Sequence, residues 1–107
     1  MTLADVIRER GPIPTVRVSS AQAKGAAKFY SYWGATRYEL RLTRDGRVSN
    51  RPLERASSDR RSYRLARQDA LDIAAREGRL LVDPIGVIGP AEEERVMRAL
   101  GLQEVAR

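Results

Sequence analysis

The chain has no cysteine and no histidine. The first absence rules out disulfide staples, and the two together remove the usual zinc ligands, leaving only carboxylates and carbonyls for a metal. They also remove the common nucleophile–base pairs of covalent catalysis. Long apolar runs are missing as well. The longest apolar region, Leu80 to Ile88, is cut by Asp83 and Pro84 and is far shorter than the roughly 20 residues a membrane-spanning helix needs. The first ten residues, MTLADVIRER, place Asp5, Arg8 and Glu9 where a signal peptide requires an unbroken apolar core. The expectation is a cytoplasmic protein with no membrane partner.

What remains is enough for one small domain. At 107 residues, a chain hides roughly 60–65% of the surface its unfolded form exposes, which permits independent folding with little core to spare. Hydrophobic content of 42% beside 32% charged residues fits a globular chain and not a disordered one. Residues 1–107 are read as a single domain, with 1–11 and 102–107 as candidates for peripheral segments.

The signs of charge are unevenly placed. Between Arg37 and Arg67 there are ten arginines against four acids (Glu39, Asp45, Glu54, Asp59), a difference equal to the whole net charge of +6. A one-sided segment points to an anionic partner. The preference for arginine over lysine can reflect genome composition, but the shortage of acids in this stretch cannot.

Local patterns outline the elements. Thr2 followed by Asp5 forms a variant capping box ahead of Leu3, Val6 and Ile7, so a short helix opens the chain and Gly11-Pro12 ends it. IPTVRVSS has the alternation of a short strand, with Pro14 confining its start to an edge; Ser19 to Gly25 reads as a loop or weak helical turn. In TRYELRLTRDGRVSN, Tyr38, Leu40 and Leu42 alternate with Arg37, Glu39, Arg41 and Thr43. Asp45-Gly46 then supplies a favoured two-residue hairpin turn, giving strands over about 36–43 and 47–51. RPLERASSDRR reads as a loop, SYRLA places Tyr63 and Leu65 at strand spacing, and RQDALDIAAREG has the helical spacing of a helix over about 67–77 stopped by Gly78. One or two short strands broken at Asp83-Pro84 follow. A last helix begins at Pro90, with acids in its first turn and Gly101 at its close. The sum is an α+β domain: a small antiparallel sheet of three to five strands packed on the helix near 67–77, with short N-terminal and C-terminal helices.

The run KFYSYWG concentrates Phe29, Tyr30, Tyr32 and Trp33, four of the six aromatic residues. Phe29 and Trp33 are expected to pack in the core or at its rim, whereas Tyr30 and Tyr32 could stack bases at the surface of a sheet. Arginine binds phosphate through paired hydrogen bonds and reads guanine edges, and a two-stranded ribbon fits the major groove of B-form DNA. Arg37, Arg41, Arg44, Arg47, Arg60, Arg61 and Arg64 are therefore the candidate contacts, with Tyr30 and Tyr32 as stacking groups. A solvated face with ion pairs to Glu39, Asp45, Glu54 and Asp59 is the plain alternative. Gly86-Val87-Ile88-Gly89 has the spacing of one RNA-clamping loop but no basic residue, and reads better as a turn. Glu92 to Glu94 sit where a helix N-terminus attracts carboxylates and do not suggest a catalytic pair.

The leading expectation is thus a small non-catalytic nucleic-acid-binding protein, duplex DNA before RNA, with no cofactor and no metal. If about six phosphates are neutralised, log affinity should fall with a slope of about −5 against log salt. The runner-up is an interaction module that meets an acidic protein or dimerises through the last helix, where Val96, Met97 and Leu100 could cover the core or meet a second copy. A histidine-free nuclease using Tyr, Arg and Glu is the third, weakest alternative.

Overall fold

The computed structural model describes residues 1–22, 31–57 and 62–102. Three helices and five strands follow in the order α1 (Leu3–Arg10), β1 (Ile13–Gln22), β2 (Ser31–Leu42), β3 (Val48–Arg55), α2 (Tyr63–Glu77), β4 (Leu80–Leu81), β5 (Gly86–Val87) and α3 (Pro90–Ala99). The fold is α+β with short terminal helices. Its sheet has the order β4-β1-β2-β3-β5 and is mixed, because β4 runs parallel to β1 while the other pairs are antiparallel.

α1 starts as the capping pattern dictates: the Thr2 hydroxyl accepts from the Asp5 N–H at 3.2 Å, and the Asp5 carboxylate accepts from the Thr2 N–H at 2.9 Å. Its periodic apolar side then turns inward. Leu3, Val6 and Ile7 are buried, so α1 is part of the core and not the peripheral segment expected of residues 1–11.

Alternation along the long β1–β2 hairpin sends side chains to two opposite faces, and each face has its own core. On one, Ile13 lies opposite Leu40, Leu42 opposite Val48, and Leu3, Val6, Ile7, Val82, Ile88, Val96 and Met97 close over them from α1, α3 and the segment after β4. On the other, Val16, Val18 and Ala35 pack against Ala66, Ala70 and Ile73 of α2. The expected sheet with helix on one face is therefore a three-layer arrangement. The physical reason lies in side-chain size: the bulky Leu40 face takes two helices rich in Val, Ile and Met, while the small Ala35 face admits an alanine-lined helix close to the backbone.

Three local expectations need correction. α2 begins at Tyr63, so Tyr63 and Leu65 lie on a helix and not on a strand. The stretch read as a loop from Arg51 continues β3 as far as Arg55, with one extra residue bulging between the Tyr38–Pro52 and Thr36–Arg55 pairs. Ser19 to Gln22, read as loop, extend β1.

A polar tie holds the two sheet edges together. β4 and β5 flank three strands, so a flat sheet would set them about 19 Å apart, slightly more than the roughly 17 Å that five extended residues span. The sheet curls accordingly, and Asn50 anchors the crossing segment. The buried Asn50 amide donates to the carbonyls of Val82 (3.2 Å) and Pro84 (2.9 Å), and its oxygen accepts from the Thr15 hydroxyl at 2.6 Å. Every polar atom of this side chain that could be orphaned by burial has a partner.

Candidate nucleic-acid interface

The β2–β3 hairpin turns at one end of the sheet. Thr43 and Arg47 close it with a backbone bond of 2.8 Å and a bond of 3.0 Å from the Arg47 N–H to the Thr43 hydroxyl. The loop between them is Arg44, Asp45 and Gly46, three residues and not two, with Gly46 at φ +81°. That positive φ is the reason for a glycine there. Asp45 braces the turn through the Thr43 hydroxyl and through Arg47 Nε at 3.0 Å. Its hydrogen bond from Thr43 in the first place, and then Arg47, hold its carboxyl below the usual range.

Around this turn the sequence clusters cation. Arg44 and Arg47 are exposed on the loop, and Arg41 is exposed on β2, 3.3 Å from Glu39. Arg51 of β3 is also exposed and lies opposite Glu39, so Arg41 and Arg51 share the sheet face that α2 leaves open beyond its C-terminus. Arg8 of α1 reaches the same corner: its Nη2 lies 3.4 Å from the place a Cβ would take on Gly46. Arg44 and Arg51 have no ion pair with another described residue. Asp5, Glu39 and Asp45, which lie here, are each already engaged by an arginine.

The other expected contacts are placed differently. Arg37 is on the same strand face as Arg41, yet its guanidinium is held by Glu77 and lies 3.5 Å from Glu54, with only 24% of the side chain exposed. Arg64 is exposed in the first turn of α2, beside an open depression lined by Ser62, Leu65 and Gln68. Its neighbour Tyr63 packs edge-on against Trp33, ten residues along β2 from Thr43, so about 33 Å separates this end from the hairpin turn. Arg41, Arg44 and Arg47 thus come together, whereas Arg37 and Arg64 do not join them. Tyr32 lies on β2, half-buried, near the Trp33 end. Tyr30, Arg60 and Arg61 lie outside the described residues.

Arg51 and Arg8 were missed by sequence reasoning. Arg51 ends the expected strand 47–51 and opens the expected loop, and its parity with Ser49 puts it on the Arg41 face. Arg8 gave no signal, because only the packing of α1 brings its last turn to Gly46.

The remaining face of the hairpin is polar rather than cationic alone. Arg17, Thr36 and Arg55 form one cross-strand row. Arg17 donates to the Asp83 carbonyl at 2.7 Å and lies over the Tyr38 ring at 5.4 Å. Arg55 covers Gly34 so closely that a Cβ there would fall 2.4 Å from its Nη2. These arginines are bound into the fold.

Val96 and Met97 are buried in the chain's own core, the first of the two roles open to them in the sequence. Among the described residues there is no group of three carboxylates placed to hold a metal ion, and no helix long and apolar enough to cross a membrane. No protein-family model matches the chain, and neither a curated protein nor a solved structure matches it.

Proposed function

We propose that this chain is a cytoplasmic, non-catalytic nucleic-acid-binding module that grips duplex DNA with the β2–β3 hairpin end. The observation that carries the reading is the concentration of Arg41, Arg44, Arg47 and Arg51 on one exposed end of a ribbon, where Asp5, Glu39 and Asp45 are already paired. Guanidinium groups bind phosphate through paired hydrogen bonds, and a narrow hairpin end can approach a groove. Arg37 is assigned to the fold, because leaving Glu77 would give up two parallel charge-assisted hydrogen bonds. The contact set is accordingly smaller than the arginine count of the sequence suggests.

Four neutralised phosphates give a slope of about −4 for log affinity against log salt, roughly a hundredfold loss between 50 and 200 mM. Fluorescence anisotropy of labelled duplex and single-stranded oligonucleotides at those two salt concentrations tests it. Salt-sensitive binding with duplex preferred supports the reading. A flat salt response, or no binding at low salt, overturns it and turns the arginine cluster toward an acidic protein surface.

A further inference from the structure

The two long edges of the sheet are guarded unequally. β4 pairs with β1 only at Thr15 and Val16, and β5 pairs with β3 only at Ser49 and Asn50, so the rest of β1 and of β3 forms the sheet's outer edges. The β3 edge carries every common device against strand addition: Pro52 has no N–H to offer, a bulge follows it, and Arg51, Glu54 and Arg55 supply charge. On β1 Pro14 and Arg17 guard the first half of the strand, and the stretch from Val18 to Gln22 carries no such device. The ten pairs of β1 with β2 run without a break from Ile13–Leu40 to Gln22–Ser31, and Val18, Ser19, Ser20, Ala21 and Gln22 are all uncharged.

The direction of the free backbone groups follows from the β4 contact. The Val16 carbonyl accepts from the Val82 N–H at 3.1 Å, so Val16 turns its main chain away from β2. By the two-residue period, Val18, Ser20 and Gln22 do the same. No other described residue forms a backbone hydrogen bond with those outward groups. Three N–H and three C=O groups therefore stand in a row on an uncharged, unbulged strand.

We propose that this edge pairs with β1 of a second copy of the chain, antiparallel about a two-fold axis near Ser20, so that two five-stranded sheets join into one. Such an edge is self-complementary, because an antiparallel two-fold sets each outward donor against an outward acceptor. With the axis at Ser20, Val18 lies opposite Gln22 and no charged residue of the stretch opposes another. That neutrality matters in a chain of net charge +6, where most surfaces would repel their own copy. The edge lies toward the opposite end of the hairpin from the arginine turn, so the inference stands independently of the nucleic-acid reading.

Sedimentation velocity over a range of concentrations tests it, with Ser20→Pro and Ser20→Lys compared with the unmodified chain. Proline removes only the outward N–H of Ser20, leaving the inward bonds of Ser19 and Ala21 to β2; lysine keeps the N–H and sets like charges across the axis. The mass is expected to rise from 12.0 kDa toward twice that value, and the midpoint to move at least about tenfold higher in concentration in both variants. Hydrogen exchange should show the Val18 and Ser20 amides slowing as the dimer forms. If proline unfolds the chain, as judged by circular dichroism, the lysine variant decides. A monomer persisting to about 1 mM, a dimer that survives Ser20→Lys, or a dimer in which those two amides exchange freely would each overturn the proposal. The first of these leaves the edge to an extended segment of another protein.

Discussion

The guanidinium of Arg37 holds the carboxylate of Glu77 through two parallel bonds, Nε to Oε1 at 2.9 Å and Nη2 to Oε2 at 2.7 Å. This pair joins the middle of β2 to the last residue of α2. Arg79 completes the clasp, donating to Glu77 at 2.6 Å and to the Thr15 and Tyr38 carbonyls, both at 3.2 Å. One carboxylate therefore fixes the helix exit to two strands, and an arginine that looked available to a ligand is part of the frame.

The clasp predicts an acid signature. Hydrogen bonds from Arg37 and then Arg79 lower the Glu77 pKa from an ordinary 4.5 to about 2. A carboxyl with a depressed folded-state pKa contributes stability that is fully present above its unfolded value and is lost as pH falls toward the folded one. Urea midpoints measured between pH 6 and pH 2 should fall with acid in the unmodified chain and fall less steeply in Glu77→Gln, which starts lower at pH 6. Asp5 and Asp45 are shifted the same way, so some decline remains in the variant. Parallel slopes for the two proteins would mean that the clasp does not form in solution.

Replacing hairpin arginines should separate binding from folding. Arg44→Gln and Arg51→Gln remove groups that make no ion pair with a described residue, so thermal midpoints should move little. Each lost phosphate contact should reduce the magnitude of the salt slope by about 1. Arg37→Gln should do the reverse: it should lower the thermal midpoint and leave the salt slope unchanged. A slope that drops with Arg37→Gln but not with Arg44→Gln would put the contact elsewhere.

Much of this arrangement was legible in the sequence, and the misses have physical causes. Thr2, Asp5, Gly78 and Pro90 marked helix ends through local chemistry, which tertiary packing had no reason to override. α2 hid its first turn because its inward residues there are alanines, and small side chains give a weak apolar period. Exposed Tyr63 and Leu65, two residues apart, then imitated a strand. β3 hid its second half behind Pro52, Glu54 and Arg55, residues that suit a guarded edge and that also read as loop. No local pattern could reveal that the Arg37 face is half covered by α2, since that depends on which helix reaches which side of the sheet. The arginine cluster was legible as composition, but its division into structural and exposed members was not.

Asn50 offers a test of the curled sheet. Truncation to alanine would leave the Thr15 hydroxyl and the carbonyls of Val82 and Pro84 without their partner, and buried polar groups left unpaired cost about 1–3 kcal/mol each. A loss of about 2–4 kcal/mol from the urea-derived stability is expected, because water can reach part of the site. Asn50→Asp should be at least as harmful, since a carboxylate cannot donate to two carbonyls. A change below about 0.5 kcal/mol for both would show that the crossing segment holds its place without the amide.

Trp33 provides the internal probe that distinguishes the two ends of the molecule. Its indole is half-buried and meets the Tyr63 ring in a T-shaped contact at a centroid separation of 5.1 Å and an interplanar angle of 87°. Being roughly 33 Å from the hairpin turn along β2, it should keep its emission when duplex DNA saturates the chain, even as the anisotropy of the labelled duplex rises. Tyr63→Leu should shift that emission in the absence of any nucleic acid, since the replacement removes the ring packed against the indole. Strong quenching of Trp33 by unlabelled duplex would mean that bases or phosphates reach the aromatic end. The contact would then belong to Tyr32 and Arg64, and the assignment to Arg41, Arg44, Arg47 and Arg51 would fail.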